Sequence, residues 1–141
     1  MWLVSLRGQL GIFNFGDPIG TSPRGAVGGT PLVNGAGQLG GTLNIDGCTA
    51  SVTGWLKAGD YIQLGSGATA TLHKVLQDAD SDSSGEVSLD IWPYIRTAPA
   101  DDAAVTTSST VGTFRLASNS QNWDVNEASF YGMTFGAFEA I

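Results

Sequence analysis

Apolar and polar residues alternate along the middle of the chain with a period of two, the spacing of a strand that buries one face. "TLNIDG" from Thr42 alternates in this way. "EVSLDIWPYI" puts Val87, Leu89 and Ile91 on one face. "SVTGWLKAGDYIQLGSG" predicts a turn over 57–59 and then a strand carrying Tyr61, Ile62 and Leu64, and "ATLHKVLQD" predicts the next strand. Segments that recur at this spacing predict a small β-barrel or sandwich.

The flanks read differently. Residues 2–6 predict a short helical turn. "GIFNFGDP" then predicts a strand with Ile12 or Phe13 inward, closed by Asp17-Pro18. Residues 20–41 are rich in Gly and hold no periodic apolar pattern, which predicts an extended loop with one short strand at 31–33. Residues 97–110, "TAPADDAAVTTSST", predict a linker, or an exposed loop followed by an edge strand. Strand character returns in "GTFRLAS" and "SFYGMTFGAFEAI", where aromatic residues fall on both faces of a single expected strand. That pattern predicts burial on both sides, or one face given to a partner. The expected fold class is therefore mainly β, with at most one short N-terminal helix and no internal repeat.

Composition narrows the function. The chain has 141 residues, 42% hydrophobic and only 13% charged, which is enough for a core and unlike a disordered chain. Its net charge of −7 opposes direct nucleic-acid binding. Cys48 is the only cysteine, so an internal disulfide and a cysteine-based zinc cluster are both excluded. The apolar start is too short to span a membrane and lacks the basic residues of a signal peptide, so no membrane anchor or secretion is expected.

Three motifs suggest chemistry. With Asp80 at the first position of a calcium loop, Asp82, Ser84 and Gly85 fall where such a loop has two further ligands and its glycine. The closing Glu is replaced by Ile91, and the flanks read as strands. A hairpin turn is the preferred reading, with Asp80, Asp82 and Ser84 kept as a calcium candidate. "GAGQLG" at 35–40 has a dinucleotide-binding spacing, and Asp60 lies where a ribose-binding acid would sit. A strand-like "TLNI" follows in place of the required helix, so nucleotide binding is set aside. His73 is the only histidine and reads as a sheet position. No nucleophile–base pair or clustered acid pair is visible, so no catalytic residue and no cofactor are assigned.

Several blocks together carry a resemblance. "WLVSLRGQLGIFNFGDP", containing a G-x-F-x-F-x-D-P strand after a helical turn, resembles a signature of tailed-phage distal tail proteins of the siphophage type. "LKAGDYIQLG", "LHKVLQDADSDSSGEVSLDIWPYIR" and "GTFRLASNSQNWDVNEASFYGMTFGAFEAI" are similar to phage and prophage tail proteins of this kind. The resemblance implies a tail-tube-like β body formed by residues 1–20 and 111–141, with residues 21–110 as an inserted barrel or sandwich. It implies a non-enzymatic virion protein, assembled in the bacterial cytoplasm into a homo-oligomeric, hexameric ring that joins the tail tube to tip, hub or baseplate proteins. DNA would pass through the lumen, whose acidic charge would keep it from sticking, and a host receptor is a further partner for the middle domain. The expected interface residues are Phe13, Phe15, Trp123, Phe130, Tyr131, Phe135 and Phe138. Members of this kind usually have more sequence before the Trp2 block. Their first strands are therefore expected either to be lacking here or to come from another subunit.

Two other roles compete with this one. One is a carbohydrate- or receptor-binding module that stacks sugars on Trp55, Trp92 or Tyr94. The other is a capsid decoration protein.

Overall fold

The computed structural model describes residues 2–120, 122–125 and 131–140, leaving aside the side chains of 2, 122, 123, 125 and 131–133. The chain is mainly β. A short α-helix, α1 (Trp2–Ser5), and a 3-10 turn (Gly8–Leu10) lead into β1 (Phe13–Phe15). The middle strands follow: β2 (Gly29–Val33), β3 (Gly40–Cys48), β4 (Tyr61–Leu64), β5 (Thr71–Val75), β6 (Val87–Ile95) and β7 (Val105–Thr106). The chain ends with β8 (Gly112–Leu116), β9 (Asn122–Val125), β10 (Tyr131–Thr134) and β11 (Ala137–Glu139).

The middle forms a six-stranded antiparallel sheet in the order β2-β3-β6-β5-β4-β7. It curls until its two outer strands nearly meet. Val33 N–H donates to the Ala103 carbonyl at 2.9 Å, Asp102 N–H donates to the Val33 carbonyl at 3.0 Å, and Leu32 bridges Ala104. The result is a nearly closed barrel, the arrangement that leaves least sheet edge exposed. The alternation in the sequence explains its filling. Leu43 lies opposite Leu89, Ile45 opposite Val87, and Val75 opposite Ile91, all with their side chains in the buried interior.

The stretch 97–110 contains the expected loop and edge strand, and the strand, β7, does more than lie at an edge, because it closes the barrel. There Val105 lies opposite Leu64. An isolated two-residue strand carries too few residues for periodicity to register, so its pairing partner defines it. The C-terminal segment departs from the single strand expected. It breaks at Phe135–Gly136 into β10, which pairs with β9, and β11, which pairs with β8.

The two chain ends meet in a second sheet, ordered β1-β8-β11. Leu3, Leu6, Phe13 and Leu116 form its small buried cluster, flanked by Phe114 and Phe135. Gln9 fastens the N-terminal turn to the segment after β8, its N–H donating to Asn119 Oδ1 at 2.8 Å and its side-chain amide to the Ala117 carbonyl at 2.8 Å. This sheet docks on the outside of the barrel through β8. Thr113 N–H donates to the Ala70 carbonyl at 2.9 Å, its hydroxyl donates to the Gly67 carbonyl at 2.9 Å, and Val111 N–H donates to Gln63 Oε1 at 2.9 Å. Gly112 makes the approach possible, because a Cβ there would sit 2.9 Å from Leu72 Cβ.

Candidate functional site

Two exposed surfaces stand out, one on each sheet. The first is aromatic and belongs to the chain-end sheet. Phe13 is buried and meets Phe114 and Phe135 at centroid distances of 6.4 and 6.2 Å. Phe15 meets Phe114 edge-on at 6.4 Å yet stays 53% exposed, and Phe138 is also largely exposed. Between this sheet and the barrel runs an open groove of about 540 Å³ lined by Phe13, Phe15, Tyr61, Leu72, Phe114 and Phe135. Rings held at these angles present a ready-made apolar face. The structure thus brings four of the interface candidates, Phe13, Phe15, Phe135 and Phe138, onto the chain-end sheet or its rim. Phe130 and the side chains of Trp123 and Tyr131 lie outside the described residues.

Asp17, from the "GDP" end of the β1 motif, ties this groove to the barrel. Its Oδ1 accepts the Ile19 N–H at 2.9 Å and its Oδ2 accepts the Tyr61 hydroxyl at 3.2 Å. The Ile19 hydrogen bond, helped by Tyr61, Gly20 and the charge of Lys74, holds the Asp17 carboxyl below its usual range against a smaller opposing effect of burial.

The second surface is a row across the outside of the barrel. Register sets Tyr61 of β4 opposite Lys74 of β5, and Lys74 opposite Trp92 of β6. Tyr94 stands two residues beyond Trp92 on the same face, the rings edge-to-face at 4.9 Å and 72°. Trp92 is 55% and Tyr94 57% exposed. The Lys74 ammonium lies 4.9 Å from the Tyr61 ring centroid and donates to the Tyr61 hydroxyl at 3.3 Å. Beside them, the Gln77 amide donates to Asp90 Oδ2 at 3.0 Å.

Trp55 does not join this surface. It is 0% exposed in the barrel core, where its indole N–H donates to the Gly28 carbonyl at 3.0 Å, so a sugar cannot stack on it. It precedes the expected turn over 57–59 and belongs to no alternating strand, so spacing does not say which side of the sheet it takes.

The remaining sequence candidates have local roles. Asp82 Oδ1 accepts the Ser84 and Glu86 N–H groups at 2.8 and 2.9 Å, and Gly85 takes φ +78° to complete the turn. The Glu86 and Ser84 hydrogen bonds hold the Asp82 carboxyl below its usual range. Asp80 Oδ1 accepts the Gly54 N–H at 2.6 Å, facing away to another loop. Among the described residues, no three of His, Cys, Asp and Glu gather to hold a metal ion. The "GAGQLG" segment runs straight into β3, with no helix N-terminus after it. Asp60, the acid of that spacing, instead accepts N–H groups from Arg24, Gly25 and Lys57 and pairs with the Arg24 guanidinium at 3.3 Å.

His73 is buried. Its Nδ1 must donate to the Pro93 carbonyl at 2.7 Å, because a carbonyl only accepts. In the neutral ring its Nε2 then accepts the Thr71 hydroxyl at 3.0 Å. Burial holds the imidazole below its usual range, opposed by Pro93 and the charge of Glu139. The Cys48 thiol is pushed up to about 11 by burial and by Asp46, so it stays protonated and a poor nucleophile at neutral pH.

No protein-family model matches the chain, and no curated protein matches it either.

Proposed function

We propose that this chain is a structural component of a phage tail tip. Its chain-end sheet sits in a homo-oligomeric, hexameric ring between the tail tube and the tip proteins, and its barrel is carried at the ring's periphery. One observation supports this reading above the others. The separate end blocks that resemble distal tail proteins meet in one small sheet with a half-exposed aromatic face, while the middle closes around a core of its own. Strands of three to five residues, with four side chains in their buried cluster, stabilise little by themselves. Apposition of further copies or of neighbouring tail proteins would cover Phe15 and Phe138, and subunit contacts of this kind need area and fit but no reactive group.

The test is the size of the purified protein, by light scattering and negative-stain imaging, together with a tag located on intact particles by electron microscopy. Rings in solution and a label at the tail tip are expected. Combined Phe15→Ser and Phe138→Ser should weaken the ring while leaving the barrel's circular dichroism unchanged. A concentrated protein that stays monomeric, or a label on the capsid, would refute the reading.

A further inference from the structure

The row Tyr61–Lys74–Trp92–Tyr94 lies on the barrel's outer face, so it raises a question separate from the assembly reading. Four features bear on what it contacts. Strands in a sheet lie about 4.8 Å apart, so the Cα positions of Tyr61 and Trp92, two strands apart, are separated by about 10 Å. That is close to the length of a disaccharide. The Tyr94 ring rests on Gly41, where a Cβ would sit 2.8 Å from its Cε1, and it braces Trp92 edge-on at 4.9 Å. The platform is therefore held in place before anything binds.

Between and beside the rings stand both kinds of hydrogen-bonding group. Lys74 Nζ and the Gln77 amide can donate, and the Asp90 carboxylate and the Tyr61 oxygen, whose hydrogen goes to Asp17, can accept. Among the described residues, Lys74 forms no ion pair, since the one salt bridge is Arg24–Asp60. Its ammonium gives one hydrogen to the Tyr61 hydroxyl and has others left to meet a sugar hydroxyl. Finally, the chain's net charge of −7 repels polyanions.

We infer that this row is a binding platform for a neutral saccharide. The C–H face of one sugar ring lies on Trp92, and its hydroxyls meet Lys74, Gln77 and Asp90. A pyranose suits the row because it is apolar on its faces and ringed by hydroxyls that both donate and accept. The observed surface has the same two parts, with exposed rings flanked by a mixed set of donors and acceptors.

The test uses the whole chain and a set of neutral hexasaccharides, with glucose, mannose and N-acetylglucosamine units, and an oligogalacturonate as the acidic counterpart. Binding is followed by calorimetry and by iodide quenching of tryptophan fluorescence. Trp92 is open to quencher and Trp55 is not, so an occupied platform should reduce quenching. At least one neutral oligosaccharide should bind. Trp92→Ala should weaken it about tenfold, as expected for loss of one stacked ring, whereas Trp92→Phe should keep most of the affinity. Tyr94→Ala should weaken it less. Both positions are exposed, and an unchanged thermal midpoint shows that the fold is intact.

Three results would overturn the inference. The first is no binding across the neutral set. The second is equal or tighter binding of the oligogalacturonate. The third is a change of oligomeric state in Trp92→Ala, which would give the patch to a protein contact. The first two do not depend on whether the chain forms a ring, and the third leaves the ring reading standing, so this inference and the assembly reading can fail independently.

Discussion

The strongest single prediction concerns Asp60. Its side chain is 2% exposed and accepts four hydrogen bonds: Arg24 N–H at 2.9 Å, Arg24 Nε at 3.3 Å, Gly25 N–H at 3.0 Å and Lys57 N–H at 2.9 Å. These bonds fasten the irregular 20–28 segment to the turn before β4, and Arg24 adds a bond to the Ala58 carbonyl. Asp60→Ala leaves three backbone N–H groups without this acceptor. The exposed guanidinium can return to water, so the cost falls mainly on those three groups. An orphaned buried donor costs about 1–3 kcal/mol, and partial rehydration of the three keeps their sum toward the low end. We therefore expect Asp60→Ala to lower stability by about 3–5 kcal/mol at pH 7. Asp60→Asn keeps one oxygen but turns an amide toward the Gly25 and Lys57 donors, so it should cost about 2–4 kcal/mol rather than act as a neutral replacement. Urea unfolding followed by tryptophan fluorescence measures both, with surface Asp90→Ala expected to lie within about 0.5 kcal/mol of the parent. The effect also has a pH signature. Burial pushes the Asp60 carboxyl up, but the Arg24, Lys57 and Gly25 hydrogen bonds outweigh it and hold the group below 3.8. A folded value below the unfolded one means that this stabilisation is complete above pH 3.8 and fades as pH falls below it. The gap between parent and Asp60→Ala should shrink in that acid range. A gap under about 0.5 kcal/mol at pH 7 would refute the view that Asp60 anchors this loop.

Three further outcomes follow from the same geometry. Trp55→Ala should cost about 3–5 kcal/mol through the cavity it leaves, while Trp55→Phe, which keeps much of the volume and loses only the indole bond to a Gly28 carbonyl that still accepts the Thr49 N–H, should cost less; chemical denaturation gives both values. Gly112→Val should loosen the chain-end sheet from Leu72 and leave the barrel closed, seen as faster amide hydrogen exchange at Thr113 than in β3 or β6. His73 is buried with its imidazole held below 6.5, so its contribution is complete above pH 6.5 and declines as pH falls below it; thermal midpoints taken from about pH 7.5 to 5.5 should drop in the parent and drop less in His73→Gln.

The parts of the fold that can be read from the sequence are those with a repeating local signal. Val87, Leu89 and Ile91 declare β6 because three apolar residues at a spacing of two have one common destination, and the barrel interior is where they go. Asp82, Ser84 and Gly85 declare a turn because their hydrogen bonds are local and self-contained. What stays hidden depends on partners far along the chain. An edge strand in 97–110 can be read locally, but that Val105 lies opposite Leu64 and Ala104 bridges Leu32 cannot, so the stretch carries no local mark of closing the barrel. Asp60 is hidden for the same reason, since three of its four hydrogen bonds reach back to Arg24 and Gly25.

The candidate surfaces follow the same division. Trp92 and Tyr94 share a strand face with Asp90, so the parity of "EVSLDIWPYI" is enough to put them outside a barrel whose interior takes Leu89 and Ile91. Their alignment with Tyr61 and Lys74 is a matter of register, which spacing within one strand does not contain. Trp55 has no such parity, because it lies outside the strands, and its burial is settled by the Gly28 carbonyl and the barrel core. The same reasoning separates the two surfaces physically. The chain-end aromatics are exposed because their sheet is too small to cover them. Trp92 and Tyr94 are exposed although the barrel beneath them is already complete. An apolar face left over from an unfinished core is relieved by any neighbour that fits, as in assembly. Rings held outward on a finished barrel complete no core, and a stacking ligand would cover them as a neighbour would cover the chain-end face.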